Sequence, residues 1–201
     1  DSFKQVRRSG LIAINLKEDD ILYAVRFVTK GDELILVTKN GQSIRFTTED
    51  VRTMGRTAAG VKGMALKGDD YIVGVGVVRS GYEQSNLLVV TEGGYGKKTS
   101  ASEYKTQSRG GSGMKTANLT SKTGKVAGAK VVPGEREHEL IAISEKSQVI
   151  RVEIGDIPEL GRATQGVRIM KLRAGDHVAS LTLLDVSEDE NPQQEEEKKA
   201  S

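Results

Sequence analysis

The stretch Gln107-Ser108-Arg109-Gly110-Gly111-Ser112-Gly113 decides the fold, because it recurs. Gly113 has counterparts in Gly60 and Gly166, each 53 residues away. The same spacing of 53 relates Arg109 to Arg56 and Arg162, and Leu119 to Leu66 and Leu172. It also relates three apolar runs, Glu33–Thr38, Asn86–Thr91 and Glu139–Ser144. Several residue types holding one offset mark an internal repeat. A further partial copy, Gly10-Leu11-Ile12-Ala13-Ile14-Asn15-Leu16, matches Gly60–Leu66 at an offset of 50. The loop Arg79–Ser85 exceeds its counterpart Thr29–Asp32 by three residues, which accounts for the difference.

The chain therefore divides into a partial unit 1–30, whole units 31–83, 84–136 and 137–186, and a tail 187–201. It opens on Asp1, inside a repeat, which leads to the expectation that further residues precede it. Each unit reads as four short strands, near Leu34–Thr38, Ser43–Thr47, Val61–Leu66 and Tyr71–Val78 in the first whole copy. The first is almost continuously apolar, as in a strand covered on both faces. The second and third alternate, which turns one face to water. Asn40-Gly41, Gly93-Gly94 and Lys146-Ser147 stand between the first two strands as hairpin turns. Four strands repeated about every 50 residues predict an all-β, propeller-like array. An ordinary sandwich with chance similarity is the competing architecture.

Composition agrees with strands and turns. There are 23 glycines, 3 prolines and no tryptophan or cysteine, so the core must be aliphatic and holds neither disulfide nor thiolate metal site. No apolar run approaches the roughly 18 residues of a membrane helix, and no signal peptide is evident. The net charge of +2 conceals an asymmetry. Residues 187–201 hold six acids and two lysines, so the remainder carries +6. A basic body with an acidic tail is one pattern of nucleic-acid binders. The tail is expected to be disordered and to compete with DNA for the basic surface.

The repeat also sorts the cations. Arg45, Lys98 and Arg151 share a phase on strand two. Arg56, Arg109 and Arg162 share one in the long loop, and Lys62, Lys115 and Arg168 share one at the start of strand three. Equal phase predicts equal position on the rim, and rows of positive charge suit a phosphate backbone. Outward lysines and arginines also blunt the edges of many β proteins. Nine basic residues at three phases favour the rim reading. Lys97, Lys105 and Arg52 are weaker candidates nearby. Asp50, Glu103 and Asp156 recur too, as loop caps or partners of the cations. Replacing Arg45, Lys98 and Arg151 together is expected to weaken DNA binding and spare the fold.

No catalytic motif survives inspection. Gly113-Met114-Lys115-Thr116 has Met114 where a phosphate-binding loop needs glycine, and Gly74-Val75-Gly76 lacks the third glycine of a dinucleotide fingerprint. His138 and His177 stand alone and read as surface residues rather than metal ligands. Tyr23, Tyr71, Tyr82 and Tyr95 read as strand or turn residues, and Tyr104, aligned with Val51 and Ile157, as core. Asn118-Leu119-Thr120 matches a glycosylation acceptor, with nothing to indicate secretion.

Gly94-Tyr95-Gly96-Lys97-Lys98-Thr99, Glu103-Tyr104, Gln107–Gly113 and Gly161–Val167 together resemble the C-terminal domain of DNA gyrase A proteins. The resemblance extends to about Asp185. It implies a β-pinwheel, whose blades exchange strands, with about three whole blades and part of a fourth here. It also implies a basic rim that wraps double-stranded DNA without sequence preference, so that the whole enzyme introduces negative supercoils. The family's hallmark box reads Gln-Arg-Arg-Gly-Gly-Lys-Gly. Here Gln107, Arg109, Gly110, Gly111 and Gly113 match it, while Ser108 and Ser112 replace two basic residues. This loop therefore resembles a degenerate copy in a later blade. The resemblance further implies the gyrase B protein and a second gyrase A protein as partners, a bacterial cytoplasmic setting near the nucleoid, and ATP and Mg used only in other domains. The corresponding protein of topoisomerase IV, which has fewer blades and no intact box, is the alternative within the family. A propeller-like protein-interaction module is the alternative outside it.

Overall fold

The computed structural model describes Arg8 and residues 10–82, 84–134 and 138–185. The strands are β1 (Glu33–Thr38), β2 (Gln42–Thr47), β3 (Ile72–Val78), β4 (Asn86–Thr91), β5 (Tyr95–Ser100) and β6 (Met114–Lys115). They continue with β7 (Val126–Val132), β8 (His138–Ser144), β9 (Val149–Glu153), β10 (Val167–Arg168) and β11 (Val178–Asp185). Short 3-10 turns follow the second strand of each unit, at Thr48–Asp50, Ala101–Glu103 and Ile154–Asp156. No α-helix, and so none able to cross a membrane, occurs among the described residues.

Three antiparallel sheets form the blades, in the orders β3-β1-β2-β6, β10-β5-β4-β7 and β11-β8-β9. Three long strands of a blade come from one unit. The fourth, where present, comes from the next. Gln42 and Ser43 face Lys115 and Met114, and Tyr95 and Gly96 face Arg168 and Val167 in the same register. The array is thus the all-β pinwheel expected, but one predicted strand is absent. Val61–Leu66 forms no strand, because no second-strand neighbour lies beside it among the described residues. A two-residue exchanged strand is made by its partner rather than by local propensity.

The repeated glycine makes this exchange possible. Gly10, Gly60, Gly113 and Gly166 all have positive φ, at 77°, 82°, 72° and 84°. A β-carbon on Gly113 would strike the Ser43 carbonyl oxygen, and one on Gly166 would lie 2.8 Å from that of Gly96. The glycine both turns the chain and lets it press against the preceding blade.

The core lies between blades. Ile35, Val37, Leu87, Val89, Tyr104 and Val126 join the first blade to the second, while Leu88, Val90, Leu140, Ile157 and Met170 join the second to the third. The first strands β1 and β4 are covered on both faces, as expected, whereas β8 alternates and leaves Ile143 exposed because no further unit packs on that face among the described residues. The second strands differ from expectation. Only β9 keeps the half-exposed alternation, whereas β2 and β5 are largely buried because the following unit folds over them. Tyr104 is core as predicted, 1% exposed, with its hydroxyl 2.6 Å from Thr116 Oγ1. His138 is not a surface residue. It is 7% exposed on β8, and its Nδ1 lies 2.7 Å from the Asp185 carboxylate on β11. A single imidazole carries no burial signal in sequence. His177 is exposed. The tail 187–201 lies outside the described residues.

Candidate nucleic-acid interface

The three basic rows meet three different fates. Strand-two cations point into the joint between blades. Arg45 grips the Glu33 carboxylate through Nε and Nη2, and its Nη1 donates to the Ala101 carbonyl at 2.7 Å. Lys98, one unit later, donates to the Ile154 carbonyl at 2.7 Å, and Ile154 is the repeat counterpart of Ala101. Each cation thus caps the 3-10 turn of the following unit. Arg151 pairs with Glu139 as Arg45 does with Glu33, but its side chain is 65% exposed against 16% for Arg45. The triple replacement expected to spare the fold would therefore open the joint between blades. Equal phase did place the three alike; it did not reveal that the next unit covers two of them.

The loop arginines also reach across units. Arg56 donates to the Ile12 carbonyl at 2.9 Å, Arg109 to those of Lys62 and Asp50, and Arg162 to that of Lys115 at 3.2 Å. These half-buried guanidiniums tie each loop to the third segment of the preceding unit. A guanidinium has five N–H donors, so each keeps donors free for an oxyanion.

The third row is the exposed one. Lys62, Lys115 and Arg168 all reach solvent. Lys115 and Arg168 occupy the same register at the outer edge of successive blades. Lys115 Nζ donates only to Asn118 Oδ1, at 2.9 Å. Arg168 lies over the Tyr95 ring, 5.7 Å from its centroid, and its hydrogen bond to the hydroxyl holds the Tyr95 phenol below its usual range. Arg52 and Lys105 are also exposed. Lys97 is not, at 2%. Its ammonium is spent inside the protein, so it offers nothing to a surface ligand. Sequence reasoning missed Lys122, which lies over the same Tyr95 ring, 5.9 Å from its centroid. Its counterparts by repeat are Asp69 and Gly175, so no phase marked it.

Of the recurring acids, Glu103 supports a loop through its carboxylate, which accepts the Arg162 backbone N–H at 3.1 Å, whereas Asp50 contributes its backbone carbonyl, which accepts Arg109 Nε at 3.2 Å. Gly110 and Gly111 of the box-like loop bond the segment before them, through Gly110 N to Gly63 O and Ala65 N to Gly111 O, both 2.8 Å, while Gln107 N donates to Arg45 O. No group of three potential metal ligands occurs among the described residues.

The family model described as "DNA gyrase C-terminal domain, beta-propeller" matches residues 1–29, 32–79, 85–133 and 138–185. The chain belongs to the DNA gyrase A C-terminal domain family. Among curated members, the DNA gyrase A protein of Staphylococcus epidermidis is 42% identical over 188 residues, covering 94% of this chain and 21% of that protein. The gyrase A protein of Lawsonia intracellularis is 40% identical over 189 residues, covering 94% and 23%. The chain thus spans about a fifth of the length of these gyrase A relatives. A solved gyrase A C-terminal domain superposes with a TM-score of 0.76 at 29% identity, over 88% of this chain and 58% of that one. The C-terminal domain of a DNA topoisomerase IV gives 0.84 at 30% identity, over 92% and 56%.

Proposed function

We propose that this chain binds and wraps double-stranded DNA along the outer edges of its blades, without reading sequence. The observation that carries the reading is the row of Lys62, Lys115 and Arg168. Two of these stand in identical register on exchanged edge strands, and all three are exposed. Arg52, Lys105 and Arg151 add exposed charge, and the loop arginines Arg56, Arg109 and Arg162 offer their remaining N–H groups. Arg45, Lys98 and Lys97 serve the fold that presents them. Bending a 20–30 bp segment costs on the order of 1–6 kcal/mol, which several phosphate contacts per blade must offset. The domain is taken as 1–186, with 187–201 an acidic tail that competes for the same edge.

Membership in the gyrase A family supports placing this activity within an ATP-dependent type IIA topoisomerase of the bacterial cytoplasm that introduces negative supercoils. There it would act beside the gyrase B protein and a second gyrase A protein, with ATP and Mg handled by other domains. The topoisomerase IV reading is compatible with the structural likeness just given. Negative supercoiling of relaxed plasmid by the intact enzyme supports the gyrase reading, and decatenation without supercoiling supports the other. A protein-interaction module would need an apolar patch. Val25 and Phe27 are 68% and 89% exposed, but their repeat counterparts Val75 and Val77 lie on β3, so this run carries the chemistry of blade strands. A gel shift with linear duplex tests the choice. Retarded duplex supports wrapping, and no retardation at low salt refutes it.

A further inference from the structure

Lys97 sits at a phase that its sister units fill with Ile44 and Ile150. It is 2% exposed, yet it is charged and fully engaged. Its ammonium donates to the carbonyls of Gly161, at 2.7 Å, and Arg162, and to Thr164 Oγ1 at 3.1 Å. All three partners belong to one loop of the next unit, the loop that carries Arg162. An ammonium has three N–H groups, and here all are spent on that loop. The sister loop around Arg109 has no such anchor and packs its Gly111 toward the Ile44 side chain instead.

The anchor also fixes which way the loop faces. The peptide bonds of the described residues are trans, so each carbonyl points opposite to the N–H that follows it. Carbonyls of Gly161 and Arg162 turned toward the ammonium leave the N–H groups of Arg162 and Ala163 turned away. The first meets the Glu103 carboxylate at 3.1 Å. The Arg162 guanidinium bridges to the Lys115 carbonyl at the outer edge, 3.2 Å away, a reach that Arg109 makes to Lys62 without an anchor, so the anchor acts on the loop backbone rather than on the arginine.

We propose that Lys97 is a positioning residue for the Arg162 loop: its buried ammonium draws two carbonyls inward and so turns the N–H groups of Arg162 and Ala163 outward. Its part in DNA binding rests on the function proposed above. Burial pushes the ammonium down to about 8. A charge that burial disfavours, at a site where isoleucine serves two sister units, is not explained by packing.

The test compares the whole chain with Lys97→Ile and Lys97→Met. Three quantities are read: amide hydrogen exchange without DNA, the urea midpoint, and affinity for a linear duplex. Expected are at least tenfold faster exchange confined to residues 161–166, a midpoint that holds or rises, and several-fold weaker DNA binding. Unchanged exchange in that loop overturns the proposal. So does exchange that rises across the whole blade with a lower midpoint, since that is what a merely structural residue would give. If the unaltered chain binds no duplex, the DNA reading fails and the exchange result alone decides the anchoring. If the unaltered chain binds and both variants bind equally well, the positioning role fails while the DNA reading stands. A titration of the loop amides with a midpoint near pH 8, absent from both variants, is the further expected signature; its absence from the unaltered chain counts against the proposal.

Discussion

Arg45→Ala tests whether strand-two cations build the joint between blades or the ligand surface. The side chain loses its grip on Glu33 through two nitrogens and its bond to the Ala101 carbonyl. Both partners of the ion pair are largely shielded, at 16% and 18% exposure, so the stranded Glu33 carboxylate keeps only the Thr106 hydroxyl as a short-range donor. Breaking a buried pair from one side costs about 3–5 kcal/mol, and partial exposure here brings this to roughly 2–3 kcal/mol. For a chain of this size that is a fall of roughly 4–12 °C in Tm. Lys98→Met loses one carbonyl bond, worth about 1 kcal/mol. Arg151→Ala, at 65% exposure, should cost less than about 1 kcal/mol. One phase of the repeat thus predicts three graded losses, ordered by how far the next unit covers each residue. Urea unfolding of the three single variants gives the order. Equal small losses, or a neutral Arg45→Ala that abolishes DNA binding, would refute the reasoning and return Arg45 to the ligand surface.

Further outcomes follow from individual residues. Gly60→Ala, with φ of 82° and only Ile14 at 3.9 Å, should lose about 1–2 kcal/mol, while Gly113→Ala, with φ of 72° and a β-carbon against the Ser43 carbonyl, should lose about 1–3 kcal/mol more than that; comparable denaturation midpoints would remove the steric explanation. Burial alone would raise the Asp32 carboxyl, but the Thr29 and Ser80 N–H groups, Arg79 and the Thr29 hydroxyl hold it down to about 2. Solvent screening keeps its contribution to roughly 1–2 kcal/mol, present above pH 4 and lost as pH falls toward 2, so Asp32→Asn should flatten that limb of the stability profile. Lys97 has the opposite sense. Its lowered value makes the charge a cost, on the order of 1–2 kcal/mol at pH 7 with solvent screening, that fades as pH rises from 8 toward 10.5, and thermal melts of Lys97→Ile should converge on the unaltered chain over that range. Deleting residues 187–201 should tighten DNA binding at low salt, and a gel shift that does not change would remove the tail from the account.

Much of the architecture was legible because the repeat multiplied weak signals. One Gly113 says little, but a glycine at the same phase in Gly10, Gly60 and Gly166 announced a backbone need that the positive φ values explain. The apolar runs fixed the first strands for the same reason. The exchanged strands were harder. Val61–Leu66 and Met114–Lys115 share a pattern, yet only the latter has a strand neighbour, and pairing is not a property of the segment itself. The cations show the same limit. Phase identified equivalent places, but burial depends on what the following unit lays over them, which separated Arg45 from Arg151. Lys97 was misplaced because a lysine among Gly96 and Lys98 reads as a surface residue. Only the carbonyls of a loop 64 residues away reveal its true setting.

The proposed function has exposed blade-edge cations holding DNA through its phosphates. Its most direct measurement is the salt dependence of affinity for a nonspecific linear duplex, for the unaltered chain and for the combined change Lys62→Glu, Lys115→Glu and Arg168→Glu. Expected are a steep fall of log affinity with log salt, at about 0.9 per phosphate neutralised, and a slope shallower by roughly 3 in the variant, whose unfolding midpoint stays unchanged. A flat salt dependence, or a folded variant that binds with the same affinity and slope as the unaltered chain, would contradict it.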